Sequence, residues 1–473
     1  MKKIFVIGLV MAMGCNSSIK TVSESSEEVV KEESAVVYAS TITESELKEH
    51  LYTYASDEFE GRETGKPGQK KAVEYIRRHY EDLGIPPAQK NNNYFQNVPL
   101  EMAKLPSGSL TIGDKSYAIG EDFITFSSLE GSYNELVYAG YGIDEENYSD
   151  YTNIDVMGKI VLVKAGEPKM KDGTYVITGT MENSKWSNMS ESIAKRVEAA
   201  MNNGAKAILY FDPQNYQRYE RYYKRMKSND SGRLGFKADR DNTAYVLINE
   251  AMAKELLPAI EKSNKKDIST IQITATVTSS NEEISTENVV AFIKGAEKPN
   301  EYVIISSHLD HIGVSANGKI NNGADDAGSG PVAMLEIAEA FKLAVDAGIR
   351  PKRSVVFLHV TGEEKGLLGS RYYTDYSPIF PLEQTVANLN IDMIGRIDPK
   401  REGDRNYVYL IGSDKLSSDL HELSEEVNNK YTNITLDYKY NDENDPNRFY
   451  YRSDHYNFAK NNIPIIFYFN GTH

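Results

Sequence analysis

Cysteine and tryptophan are nearly absent from this sequence: each occurs once, as Cys15 and Trp186. With a single cysteine the chain forms no intramolecular disulfide, and a structural zinc site built from cysteine thiolates is disfavoured. Basic residues are also scarce, since 53 Lys and Arg stand against 69 Asp and Glu, which gives a formal net charge of −16. This acidic balance disfavours nucleic acid as a partner.

The N-terminal stretch is apolar but too short to form a stable membrane span. Residues 1–15 read MKKIFVIGLVMAMGC, with two lysines, a short apolar core and small residues before Cys15. This pattern is typical of a secretory signal, and its last four residues resemble a bacterial lipobox. We therefore expect export and a lipid anchor on Cys15 in the bacterial cell envelope, at the outer membrane or in the periplasm. A plain signal peptide with an incidental cysteine is the alternative.

The stretch Tyr302 to Gly330 carries the strongest functional pattern in the chain. Val303-Ile304-Ile305 reads as a buried parallel strand, and His308 and Asp310 at its end point to the same side. Asp325-Asp326 and a small-residue turn follow, and then a helical pattern begins. Ligands of open α/β sheets gather where strands end and helices begin, so we expect a metal site here.

Three downstream segments add further ligand types at equivalent places. One predicted strand ends in Glu363-Glu364, another carries Asp392 near its end, and His455 starts a helical stretch. Two histidines with several carboxylates suit a two-zinc hydrolytic site better than a structural one. Two such zinc ions lie about 3.5–4 Å apart and share a carboxylate and a water.

The ordered motifs HxD, GADD, GEE, NxD and SDH resemble those of the M28 family of di-zinc metallopeptidases, which are mostly aminopeptidases. The resemblance covers Val303 to Phe469 closely and extends to residues 55–85. It implies two zinc ions per chain, one held by His308 and Asp392 and the other by Glu364 and His455, with Asp325 as the bridge. It also implies Glu363 as general base and Asp310 as the residue that holds the ring of His308. His311 matches no ligand position of the family.

The length of 473 residues predicts two domains, one perhaps inserted in the other. Residues 16–40, rich in Ser and Glu, favour a flexible tether. We expect a three-layer α/β/α catalytic domain with a mostly parallel central sheet from residues 41–104 and 281–473. Residues 105–280 show short strand patterns and resemble a protease-associated domain, a smaller β-rich (α+β) insertion that is either structural or gates the substrate.

The resulting functional hypothesis is an exported, zinc-dependent aminopeptidase that acts on peptides, with water activated between two zinc ions and Glu363 as general base. A glutaminyl cyclase is the first alternative, although the GEEKGLLGS continuation and the single tryptophan fit it poorly. A binding protein that kept the fold without the chemistry is the second, and the presence of Glu363 disfavours it.

The C-terminal segment Ile463 to Phe469 is apolar, and we expect it to pair into the sheet. Relatives in the family usually continue through a histidine-containing loop to a helix that covers one face of the sheet. We therefore expect either that the sequence is a shortened record or that the protein covers this face by dimerising, since exposed apolar area favours association.

Overall fold

The computed structural model describes residues 35–188, 191–228, 232–236 and 243–472. The predicted signal segment, Cys15 and most of the predicted tether lie outside the described residues. In the described parts of the chain, every helix is too short or too polar to cross a membrane.

The chain divides into two compact units. The first comprises Met1–Val98 and Ser285–His473, and the second comprises Pro99–Ile284. The assignment of the second unit as a protease-associated domain stays a prediction.

The described helices are α1 Glu44–Tyr54, α2 Pro67–Leu83, α3 Ser192–Asn202, α4 Tyr216–Ser228, α5 Glu250–Leu256, α6 Gly330–Asp346, α7 Leu368–Arg371, α8 Ser418–Val427 and α9 His455–Ala459. Helix α1 begins directly after Thr43, whose hydroxyl accepts the N–H of Glu46 and donates to the Glu46 carboxylate. This cap satisfies one of the N–H groups that the first helical turn leaves unpaired.

The described strands are β1 Phe95–Ala103, β2 Ser109–Ile112, β3 Lys115–Ala118, β4 Phe123–Thr125, β5 Leu129–Tyr138, β6 Asp144–Glu145, β7 Tyr148–Ser149, β8 Ile160–Lys164, β9 Ala207–Phe211, β10 Arg233–Phe236, β11 Ala244–Ile248, β12 Asp267–Val277, β13 Asn281–Ile293, β14 Lys298–His308, β15 Arg353–Val360, β16 Thr385–Ile391, β17 Tyr407–Ile411, β18 Thr435–Asp437 and β19 Ile465–Phe469.

The sheet of the first unit has the order β1-β13-β15-β14-β16-β19-β17-β18. Its centre is parallel, since β15, β14, β16 and β19 run in one direction, whereas β13 and β17 are antiparallel to their central neighbours. Neighbouring residues of a strand face opposite sides of the sheet, so each side needs its own cover.

Two apolar clusters cover the two sides of this sheet. Ile305 and Phe357 pack in a cluster with residues of α1, α2 and α6. Their neighbours Ile304 and Val356 pack in another, together with Phe458 of α9. The prediction of a three-layer α/β/α domain is therefore confirmed.

The sheet of the second unit is mixed, in the order β3-β2-β12-β5-β8-β9-β11-β4. The strands β5, β8, β9 and β11 are parallel and the outer pairs are antiparallel. One apolar cluster includes Leu209 and Val246, and a second includes their neighbours Ile208 and Leu247. This unit is β-rich, as predicted.

The C-terminal strand β19 pairs between β16 and β17, which confirms the predicted pairing of Ile463 to Phe469. The expectation that this strand leaves an apolar face of the sheet uncovered is wrong. Ile465 and Ile466 are 1% exposed and Phe467 is 3% exposed. Phe467 packs in an aromatic cluster that includes Tyr440 and residues of β17, and this cluster excludes water from the strand.

Candidate metal centre

Three parallel strands deliver the predicted site residues to one edge of the sheet. His308 is the last residue of β14, Asp392 follows β16 directly, and Glu363 lies three residues beyond β15. The strand register aligns these ends, because His308 pairs with Val360 of β15 and Ser306 pairs with Asn390 of β16. The strand register therefore brings these residues to one edge of the sheet.

The first cluster consists of His308, Asp326 and Asp392. The Nε2 atom of His308 lies 3.2 Å from Oδ1 of Asp392 and 3.3 Å from Oδ1 of Asp326. His308 and Asp392 are buried, whereas Asp326 is partly exposed.

The second cluster consists of His311, Asp326 and Glu364. The Nδ1 atom of His311 lies 2.7 Å from Oε1 of Glu364 and 3.9 Å from Oδ1 of Asp326. The same Asp326 oxygen therefore belongs to both clusters. Glu364 meets the second cluster as expected, but the imidazole beside it is His311, which the sequence analysis left unassigned.

Asp325 was predicted as the bridging ligand, and the structure places its neighbour Asp326 in that position instead. The Asp325 carboxylate turns into the protein, where Oδ1 accepts the N–H of Gly395 at 2.7 Å and the hydroxyl of Ser329 at 3.2 Å. Ser329 lies at the entry to α6, so Asp325 fixes the path of the loop while Asp326 faces the clusters.

His455 was predicted as a ligand of the second metal, and the structure places it in neither cluster. It begins α9 and is fully buried, with its ring stacked on Phe467 at 4.6 Å between ring centroids. Its Nε2–H donates to the carbonyl of Tyr450 at 2.8 Å. Burial lowers the pKa of His455 to about 3, as expected for a neutral ring inside the protein.

Asp310 was predicted to hold the ring of His308 through its carboxylate, and the structure shows a different contact. Nδ1 of His308 lies 3.1 Å from the main-chain carbonyl of Asp310. The Asp310 carboxylate accepts the hydroxyl of Thr64 at 2.5 Å and the N–H of Glu363 at 3.4 Å. Asp310 therefore orients His308 through its backbone and uses its side chain to join the loop of Glu363 to an N-terminal turn.

A buried chain of hydrogen bonds behind the sheet edge orients Asp392. Asn388 Nδ2 donates to the hydroxyl of Ser306 at 2.8 Å, and that hydroxyl donates to Oδ1 of Asn390 at 2.7 Å. Asn390 Nδ2 donates to Ser453 at 2.9 Å, and Ser453 donates to Oδ2 of Asp392 at 2.7 Å. One carboxylate oxygen is thus held by Ser453 while the other faces His308. Partners of this kind fix the orientation of a metal ligand.

The protonation equilibria of the site reflect its burial and its negative charge. Burial raises the pKa of Glu363 well above its ordinary value, and the carboxylates of Asp392 and Asp454 add to this effect while His308 opposes it. Burial opposes the protonation of His308, but Asp392 and Glu363 outweigh it and raise the pKa of the ring well above its usual value. The protein side chains alone therefore hold an excess of negative charge, which a cation would offset.

The donor set fits zinc. Ligand atoms bonded to a tetrahedral zinc at about 2.0–2.1 Å lie about 3.3 Å from one another. The two distances from His308 to its carboxylate neighbours, 3.2 Å and 3.3 Å, match that spacing. Imidazole and carboxylate are also the zinc ligands expected where cysteine is absent. In the second cluster the donors are of the same types, with His311 and Glu364 at hydrogen-bond distance.

Fold and site together define an α/β protein with a candidate two-metal centre at the carboxyl edge of a largely parallel sheet. Residues 288–473 match the model of Peptidase family M28. The resemblance inferred from the motifs is thereby confirmed. The matched residues include both clusters and Glu363.

Several similar proteins carry the names of peptidases or of related enzymes. The chain is 27% identical over 353 residues to the probable leucine aminopeptidase 2 of Aspergillus oryzae, which covers 74% of this chain and 57% of that protein. It is 31% identical over 185 residues to leupeptin-inactivating enzyme 1 of Streptomyces exfoliatus, covering 39% of this chain and 36% of that protein. The chain therefore spans less than two thirds of the length of either relative.

Among solved structures, the chain resembles an aminopeptidase from Aneurinibacillus sp. strain AM-1. The two are 21% identical, the match covers 89% of this chain and 84% of the other, and the TM-score is 0.44.

Asp326→Asn should lower the zinc content of both clusters, because a neutral amide is a poorer ligand for two dications. Asp325→Asn is the matched control: its amide oxygen still accepts the N–H of Gly395, so zinc content should stay near wild type. Metal analysis of the purified variants measures both. Loss of zinc from the Asp325 variant, with full zinc in the Asp326 variant, would restore Asp325 as the bridge.

His311→Gln should weaken zinc binding at the second cluster and leave the first unchanged, because it removes the imidazole beside Glu364. His455→Gln should keep both metals but lower the unfolding temperature, since it removes the ring that stacks on Phe467. Zinc affinity from chelator competition, read together with thermal unfolding, compares the two variants. Weaker zinc binding in the His455 variant, with unchanged zinc binding in the His311 variant, would mean that His455 is the metal ligand.

Proposed function

We propose that this chain is a zinc-dependent aminopeptidase that removes N-terminal residues from peptides. The observation that carries the proposal is the shared position of Asp326 between two clusters that each hold one imidazole and one further carboxylate. A carboxylate placed between two metal sites is the arrangement that two-metal hydrolases need. The match of residues 288–473 to the family model and the peptidase names of the relatives support the same proposal.

Each cluster has a definite part in this proposal. His308 and Asp392 would hold one zinc, His311 and Glu364 would hold the other, and Asp326 would be available to both. When bound, zinc would supply a Lewis acid and a water with a pKa lowered to about 7. Ser453 keeps Asp392 oriented toward His308, so the first site is preformed.

Glu363 is the proposed general base. It belongs to neither cluster, although its neighbour Glu364 belongs to the second. It takes a proton from the attacking water and returns it to the leaving amine. Its N–H contact with the Asp310 carboxylate fixes the start of the loop that carries both glutamates.

The preference for a free N-terminus is supported by the relatives, one of which is named a probable leucine aminopeptidase. An aminopeptidase acts on peptides whose N-terminal amine is free, and an acyl or pyroglutamyl end does not offer that amine. The proposed substrates are therefore peptides with an unmodified N-terminus, and the activity is that of an exopeptidase.

Glu363→Gln should keep both metals and the fold but lose about 10²–10⁴ in turnover, the usual effect of removing a general base. Glu364→Gln is the contrasting neighbour, which should lose metal from the second cluster. The measurements are amino-acid release from a dipeptide panel and zinc content. Loss of zinc from the Glu363 variant would mean that Glu363 is the metal ligand and Glu364 the general base. Ammonia release from N-terminal glutamine, with no amino acid freed, would indicate a cyclase instead.

We also propose that the protein is lipid-anchored through Cys15, a position outside the described residues. The lipobox-like sequence before it supports this proposal. Cys15→Ser should move the protein from the membrane fraction to the soluble fraction of the expressing cells without loss of peptidase activity. A serine variant that stays in the membrane fraction would rule out the lipid anchor on Cys15.

A further inference from the structure

An N-terminal turn, residues 57–64, lies against the loops of the metal centre although it precedes them by more than two hundred residues. Its backbone is left-handed at three consecutive residues, Glu60, Gly61 and Arg62. A Cβ on Gly61 would lie 2.3 Å from the carbonyl oxygen of Asn321, so only glycine permits this approach. The turn is thus fitted closely to the loop that leads to Asp326.

The turn contacts every loop of the second cluster. The carbonyl of Arg62 accepts the N–H of His311 at 3.2 Å. The Glu63 carboxylate lies 3.0 Å from the ammonium group of Lys365, which follows Glu364. These contacts tie both partners of Asp326 in the second cluster to the same short segment.

Arg62 itself reaches the loop of Asp326. Its side chain is fully buried, with Nη1 donating to the carbonyls of Tyr54 and Asn322 at 2.8 Å each, and Nη2 donating to the carbonyl of Gly323 at 2.7 Å. The guanidinium also lies 4.7 Å from the ring centroid of Tyr54. The planar fork of arginine matches such divergent acceptors, which a lysine ammonium cannot reproduce at the same time.

Gly323 is the residue through which Arg62 contacts the loop that carries Asp326. Its carbonyl accepts both Nη2 of Arg62 and the N–H of Gly328 at 2.8 Å, so the backbone from residue 323 to residue 328 is closed around Asp326. Arg62 therefore fixes one side of this closed loop, while Asp325 fixes the other through Gly395 and Ser329.

We propose that Arg62 is a positioning residue for Asp326: it holds the loop of the shared carboxylate ready for both metals. The proposal rests on the zinc centre proposed above. The buried positive charge has a second effect, because the carboxylates of Asp310 and Asp326 are close enough to interact with it. Arg62 offsets part of their negative charge before any metal is bound.

The test is Arg62→Lys, which keeps the charge and removes the fork. Zinc affinity is measured by chelator competition with Zn²⁺ alone, together with the rise of the unfolding temperature that Zn²⁺ produces. Both sites should bind zinc about 10–100-fold more weakly, the usual effect of losing a group that orients a metal ligand. The zinc-dependent rise should shrink accordingly.

The control is Arg196→Lys in the second unit. Arg196 is equally buried, and its guanidinium likewise donates to main-chain carbonyls, those of Tyr141, Trp186, Ser192 and Gly166. This variant should lose thermal stability and keep wild-type zinc affinity at both sites. An equal loss of zinc affinity in both variants would mean that removing a buried guanidinium destabilises the protein generally, and this result would overturn the proposal.

Unchanged zinc affinity in the Arg62 variant, or a loss confined to one site, also overturns it, and leaves the proposed function intact. A wild-type chain that binds no zinc would remove both. If the variant does not fold, hydrogen exchange on the zinc-free wild type gives the answer. The amides of His311 and Gly328 should exchange as slowly as those of the central strands; rapid exchange there would show that the turn does not hold the loop.

Discussion

Mutual repulsion among carboxylates is the constraint on which this site depends. Asp310, Asp326, Glu363, Glu364 and Asp392 come together at one edge of one sheet, and several of them are largely removed from water. Like charges at such distances destabilise the folded chain unless something offsets them. The protein does so with His308 and His311, with the guanidinium of Arg62, and with donors such as the hydroxyl of Ser453 and the N–H group of Glu363. Zinc ions bound at the two proposed sites would offset the remaining negative charge.

The framework of the first unit was predictable from the sequence because its signals are local. The β-branched runs of β14 and β15 mark buried strands, and chemically distinctive residues stand at their ends. Parallel strands bring those ends to one edge whatever the details of the loops. His308, Glu364 and Asp392 were therefore identified as a group before the structure was known.

The errors have a different physical origin. Asp325 and Asp326 are adjacent and chemically identical, and only the conformation of the loop decides which one faces inward. His455 starts a helix, and its ring is held inside the protein by stacking on Phe467. The hydrogen bonds that hold each side chain, to Gly395 and Ser329 for Asp325 and to Tyr450 for His455, come from distant segments that spacing alone does not reveal. Arg62 was missed for the same reason.

The polar residues inside β16 have a consequence for how the sheet assembles. Asn388 and Asn390 share one face of a buried strand and find their partners in Ser306 and Ser453. A slip of one residue would turn both amides to the opposite face, away from those partners. Each buried polar group left unpaired costs about 1–3 kcal/mol. A shifted register of β16 is thus less stable than the native one. Because Asp392 directly follows β16, the native register also turns its carboxylate toward His308.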